Sequence, residues 1–180
     1  MKKIVVLIAL ACIPFLGTSQ SIFDKFEDSD RIGSITINKG MLDIVSKIME
    51  NDSDPESREF IEIANRINKI KIFLSEDEDA AEDMAVTMKQ YVKSAKLEEL
   101  MKVRDGDTNL NFYVRYGKDE DHVKEVLMFV TGIDEKKNHH SDFEFETVLL
   151  TMTGDIDLAQ VGTLTKKMKL HKGLHKLDKE

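Results

Sequence analysis

Apolar residues change their spacing along the chain, and each change marks a new kind of element. Residues Ile4 to Leu16 are apolar on every side, broken only by Pro14. Phe23 and Phe26 then stand three apart, enough for one helical turn pinned to the body. After Gly33 the stretch Ser34-Ile35-Thr36-Ile37 alternates and is rich in β-branched residues, which predicts a short strand. Asn38 is a suitable cap for a helix running to about Met49, with Met41, Leu42, Val45 and Ile48 facing inward. Asp54 and Pro55 open a second helix, because proline at the first helical position loses no hydrogen bond. Phe60, Ile61, Ala64 and Ile67 form its buried stripe. A strand from Lys69 to Leu74 follows. Ser75 and Glu78 have the spacing of a capping box. The helix they open carries Ala81, Met84, Ala85, Met88 and Val92 at helical spacing and ends near Ala95.

From Leu97 onward the period falls from 3.6 to 2. Four antiparallel strands are predicted, at about 98–104, 109–116, 123–131 and 143–153. Asp105-Gly106-Asp107 supplies the first hairpin turn, through a glycine that tolerates positive φ. Leu110, Phe112, Val114 and Tyr116 share one face, while Asn111, Tyr113 and Arg115 share the other, so one face packs on the core and the other is wetter. Gly154 is expected to break the last strand, Asp155 or Asp157 to cap, and Leu158, Val161, Leu164 and Met168 to form a closing amphipathic helix. Residues 171–180 are a basic tail. The expected fold is α+β: a single domain over 20–170, with helices packed on one face of a largely antiparallel sheet that includes a four-stranded meander.

The apolar N-terminal run has another meaning. Lys2 and Lys3 precede it and Gly17-Thr18-Ser19-Gln20 follow it, the three parts of a secretory signal peptide over residues 1–19. As a helix the run reaches about 20 Å, too short for a bilayer core of about 30 Å. Small residues at Gly17 and Ser19 place peptidase cleavage between Ser19 and Gln20. The alternative is lipidation of Cys12, but Ala9 stands where a larger aliphatic residue is usual, and Ile13 continues the apolar segment. Soluble release is favoured. The chain is expected to be exported to the periplasm or the extracellular space, with an outer-membrane lipoprotein as the alternative.

Composition narrows the function classes. The formal charge is −8, and removing the leader takes two lysines and no acids. Such an acidic surface repels phosphate backbones, so nucleic acid is excluded as a partner. Cys12 is the single cysteine, so cleavage leaves no disulfide, thiolate metal site or cysteine nucleophile. The absence of Trp removes the commonest anchor of a carbohydrate surface.

Candidate chemistry is sparse. Glu76, Asp77, Glu78 and Asp79 lack the glycine turn and alternating ligands of a calcium loop, and negative charge at a helix N-terminus is favoured by the helix dipole. Asp105-Gly106-Asp107-Thr108-Asn109 opens like a calcium loop but has Leu110 where the turn glycine belongs and Tyr116 where the bidentate glutamate belongs. His171 and His175 have the i, i+4 spacing of metal ligands, without the acid between them that a zincin requires. His139 and His140, near Asp142, lie in a polar loop. Glu144 and Glu146 alternate along a strand as glycosidase acids can. No glycine-flanked serine elbow is present. No cofactor is implied, and the chain is expected not to be an enzyme.

Three stretches carry a family resemblance: Ile22-Phe23-Asp24-Lys25-Phe26 through Ser34-Ile35-Thr36-Ile37-Asn38-Lys39-Gly40-Met41; Leu97 to Val103; and Leu150 to Leu158. They are similar to the domain-of-unknown-function family 4252 (DUF4252), exported proteins of Bacteroidota. The likeness spans nearly everything after the leader. It implies no activity and no catalytic residues. Many members look like lipoproteins, from which this chain departs at Ala9 and Ile13. The functional expectation is an exported cell-envelope protein, a non-enzymatic binding or assembly module whose partner is another envelope protein or a small ligand. It meets the membrane only if Cys12 is lipidated. The alternatives are a periplasmic hydrolase or metal-dependent enzyme with a spatially assembled site, and a small lipid or peptide carrier.

Overall fold

Val126 and Leu127 are neighbours in the chain, both are buried, and each belongs to a different core. Successive side chains of a strand point to opposite faces of its sheet, so this sheet carries a hydrophobic layer on each side. The computed structural model describes residues 21–52, 54–119, 121–133 and 145–158. Six strands, β1 (Gly33–Asn38), β2 (Ile67–Ser75), β3 (Glu98–Asp105), β4 (Thr108–Tyr116), β5 (His122–Thr131) and β6 (Thr147–Asp157), lie in the order β1-β2-β6-β5-β4-β3. All neighbouring pairs are antiparallel. The fold is therefore a single α+β domain with an antiparallel sheet, and β3 to β6 form the expected meander.

The helices depart from expectation by occupying both faces. A 3-10 helix (Ser21–Phe26) and α3 (Glu78–Ser94) cover one face, burying Phe23, Phe26, Phe73, Met84, Met88, Tyr91, Leu127, Phe129 and Leu149. On the other, α1 (Lys39–Met49) and α2 (Pro55–Arg66) bury Leu42, Ile63, Ala64 and Ile67 against Val114, Val123, Val126 and Ile156. Topology supplies the reason. The α1–α2 pair joins β1 to its immediate neighbour β2 and settles over those strands. Helix α3 must carry the chain from β2 to the far edge at β3, and it crosses the free face.

Polar residues are enclosed beside the first core as pairs. Lys71 Nζ lies 2.6 Å from Asp24 Oδ1 and 2.7 Å from Glu27 Oε1, which secures the 3-10 helix against β2. The rings of Phe23 and Tyr91 meet edge-on at 4.8 Å, and those of Phe26 and Phe73 at 5.5 Å, within the favoured range for aromatic pairs.

Several local expectations shift in register. Helix α3 is capped by Asp77, whose carboxylate accepts from the Ala80 N–H at 2.7 Å. Ser75 instead donates its hydroxyl to the Arg31 carbonyl. The buried stripe of α3 is Ala80, Met84, Thr87, Met88 and Tyr91, rotated from the predicted one, while Met41 and Ile48 of α1 face outward. Ile67 belongs to β2, not α2. Gly154 does not break β6. It lies within the strand, where a side chain would collide with the Arg66 carbonyl oxygen at the irregular start of β2. Gly106 has φ +59 in the β3–β4 hairpin, as its sequence suggests.

Candidate functional site

The β4–β5 turn brings a histidine, lysines and carboxylates together on one surface. The Gly117 N–H donates to the His122 carbonyl at 2.7 Å and closes the turn. Within it, Asp119 Oδ1 accepts from the His122 N–H at 2.9 Å and lies 2.7 Å from His122 Nδ1. One carboxylate oxygen thus fixes both the backbone and the ring of the histidine. The turn forms one wall of a pocket of about 360 Å³, with Lys118, Lys124, Asn68 and Asp155 completing it beside Gly154.

Its electrostatics follow from those contacts. The hydrogen bond from Asp119 raises the His122 imidazole above its usual 6.5, helped by the charges of Asp119, Asp155 and Asp157 and opposed by desolvation. The same hydrogen bond lowers the Asp119 carboxyl below its usual 3.8. The result is an imidazole–carboxylate pair flanked by two lysines and further carboxylates. It can hold a small polar group and exchange a proton. No serine, threonine or cysteine stands among the described lining residues.

A second polar cluster is enclosed. Glu125 is fully buried on the α3 face, accepting from the Tyr91 hydroxyl at 2.6 Å and from Arg115 Nη2 at 3.0 Å. Beside it, burial first, then the charge and hydrogen bond of Glu99, push the Tyr113 hydroxyl above 10.0. A carboxylate with both oxygens engaged and no open approach ties helix to sheet, and its geometry is that of a packing device.

Of the residues singled out from sequence, Cys12, Ser19, Gln20, His139, His140, Glu144, His171 and His175 lie outside the described residues. Glu146 is exposed just before β6, with its N–H donating to the Ser75 carbonyl. The acidic cluster resolves into a cap and surface ion pairs: Asp77 caps α3, Asp83 lies 2.8 Å from Lys25, and Asp79 faces Arg31. Among the described residues no group of three His, Cys, Asp or Glu side chains is placed to hold a metal ion. Among them, too, no helix is long and apolar enough to cross a membrane. Sequence reasoning missed both His122–Asp119 and Tyr91–Glu125–Arg115. The first was legible in principle, since an acid three residues before a histidine in a turn is positioned to cap it. The second joins residues distant in sequence and leaves no local trace.

A family model described as "Domain of unknown function (DUF4252)" matches residues 26–164. No curated protein and no solved structure matches the chain.

Proposed function

The chain belongs to the DUF4252 family, and we propose that it is a non-enzymatic assembly module of the cell envelope, working through a surface and not through a reaction. One observation carries this reading. The most exposed large apolar side chains among the described residues fall on β1 and α1, Ile35 at 45 %, Met41 at 55 %, Ile44 at 56 % and Ile48 at 73 %, while Val86 on α3 and Leu100 and Met101 on β3 are exposed elsewhere. Scattered apolar residues are ordinary on a protein surface, whereas contiguous ones mark a contact site. Export rests on the signal-peptide pattern of residues 1–19, with release after cleavage between Ser19 and Gln20 preferred over lipidation of Cys12. The carrier alternative has less support, because the pocket beside His122 is walled by charged side chains.

The test is a photoreactive amino acid placed at Ile48, with Glu82 as an exposed control, in the chain produced in its own host. The expected outcome is a covalent protein adduct at position 48 and none at 82, in the envelope fraction. Equal labelling at the two positions, or recovery of the chain with its leader intact in the cytosol, overturns the reading. Intact-mass analysis of the same material shows where the leader is cut and whether Cys12 carries lipid.

A further inference from the structure

We propose that the occupant of this surface is a second copy of the chain, joined antiparallel through β1 across a twofold axis at Thr36, with the two α1 helices packed side by side. This rests on the assembly reading and names its partner. The two edges of the sheet are built differently. Edge strand β3 exposes Leu100 and Met101, but it sets them among Glu98, Glu99, Lys102, Arg104 and Asp105 and has a register break between Glu99 and Met101. Charges and bulges of that kind guard an edge against pairing. Edge strand β1, Gly33-Ser34-Ile35-Thr36-Ile37-Asn38, has no charge, no proline and an unbroken register with β2.

The sequence of β1 is complementary to itself. An axis through Thr36 sets Thr36 opposite Thr36, Ile35 opposite Ile37 and Ser34 opposite Asn38 of the second copy. Ile35 and Ile37 pair with Ile72 and Ile70, which places them on the α1–α2 face. Thr36 points to the other face, donating its hydroxyl to Glu27 Oε1 at 3.2 Å. Apolar therefore meets apolar and polar meets polar, the cross-strand matches that stabilise an antiparallel pair.

Helix α1 completes the match. Lys39 Nζ donates to the carbonyls of Ala64 and Asn65, so that flank of α1 faces α2. At 100° per residue, Met41, Ile44 and Ile48 fall on the opposite flank, which overhangs the β1 edge. Strands pair about 4.8 Å apart. A helix seated between β1 and β2 then lies about 5 Å from the axis, and its twofold mate about 10 Å from it, close to the 8–10 Å of packed helices. The same operation that extends the sheet brings the two exposed stripes together.

The experiment is sedimentation equilibrium on the chain recovered from its envelope, with variants chosen at exposed positions so that the fold is kept. Dimers are expected for the wild type and for Val86→Glu on α3, and monomers with an unchanged circular-dichroism spectrum for Ile44→Glu and Ile48→Glu. A second probe is Thr36→Cys. Opposed residues of an antiparallel pair have Cα atoms about 4.5–5.5 Å apart, within disulfide reach. Mild oxidation should therefore yield a covalent dimer of Thr36→Cys and not of Ser34→Cys, whose copies lie four residues out of register. A wild type that is monomeric at every concentration, or equal cross-linking at 34 and 36, overturns the proposal. If the chain is monomeric yet position 48 still captures a different protein, the second copy is wrong and the assembly reading stands. If position 48 captures nothing, both fail.

Discussion

Tyr91 on α3 donates its hydroxyl to Glu125 Oε1 at 2.6 Å, and Glu125 is fully buried in the central region of the sheet. The bond joins the crossing helix to β5. Removing the phenol oxygen leaves a buried carboxylate with one donor fewer, which costs about 1–3 kcal/mol. Tyr91→Phe should lower the unfolding free energy by that amount, read as a lower urea midpoint at an unchanged m-value. The double variant Tyr91→Phe/Glu125→Leu should be less destabilised than the two single effects added, because hydroxyl and carboxylate go together and only Arg115 loses a partner.

Lys71 gives a pH dependence of definite sign. Its side chain is 6 % exposed between Asp24 and Glu27. Burial alone lowers the ammonium's affinity for its proton, but the hydrogen bonds and charges of Asp24 and Glu27 outweigh it and hold the group above 10.5. A folded-state value above the unfolded one stabilises fully below the unfolded value, and that stabilisation is lost as pH rises through the folded one. Urea titrations should show stability level up to about pH 10 and falling above it for the wild type. Lys71→Met should flatten that limb while lowering stability at neutral pH, where it strands two carboxylates beside a hydrophobic core.

Two glycines should respond oppositely to alanine. Gly40 sits in α1 with open space where a Cβ would go, and Gly154 in β6 has the Arg66 carbonyl oxygen there. Gly40→Ala should stabilise the chain by about 0.5–1 kcal/mol through helix propensity. Gly154→Ala should destabilise it by about 1–3 kcal/mol, the usual cost of overpacking. Thermal unfolding distinguishes the two at once.

The His122–Asp119 pair predicts a titration. His122 should take up its proton above 6.5 because Asp119 bonds to it, and Asp119→Asn should return the midpoint toward the ordinary value. Proton NMR of the imidazole follows both. Any stabilisation from the pair is present below 6.5 and is lost as pH rises through the folded-state value.

Much of the fold was legible because alternation and capping are local. Strands β3, β4 and β5, the turn at Gly106 and the start of α2 at Pro55 stand where period and punctuation place them, while β6 runs four residues later than expected, to Asp157. The side of the sheet on which each helix lies was not legible. Asn111, Tyr113 and Arg115 read as a solvated face, yet Tyr113 packs against the α3-side core and Arg115 reaches the buried Glu125. Lys71 is buried on the same side of the sheet, and its partners come from residues 24 and 27. A polar residue shows its face of a sheet only once its partner is known. The outward turn of α1 had a related cause: Met41, Ile44 and Ile48 form an apolar stripe as good as any core stripe, and nothing local says whether the stripe meets its own sheet.

The strand order also sets a schedule. β6 lies between β2 and β5, and residue 67 meets residue 154 across it. The sheet therefore stays in two parts until the last of its described strands is available, and no hairpin can close the gap earlier. Pairings so distant in sequence are slow to form. A chain emerging from its N-terminus completes this domain only after nearly all of it has been delivered, so the closing of the sheet waits on the delivery of β6.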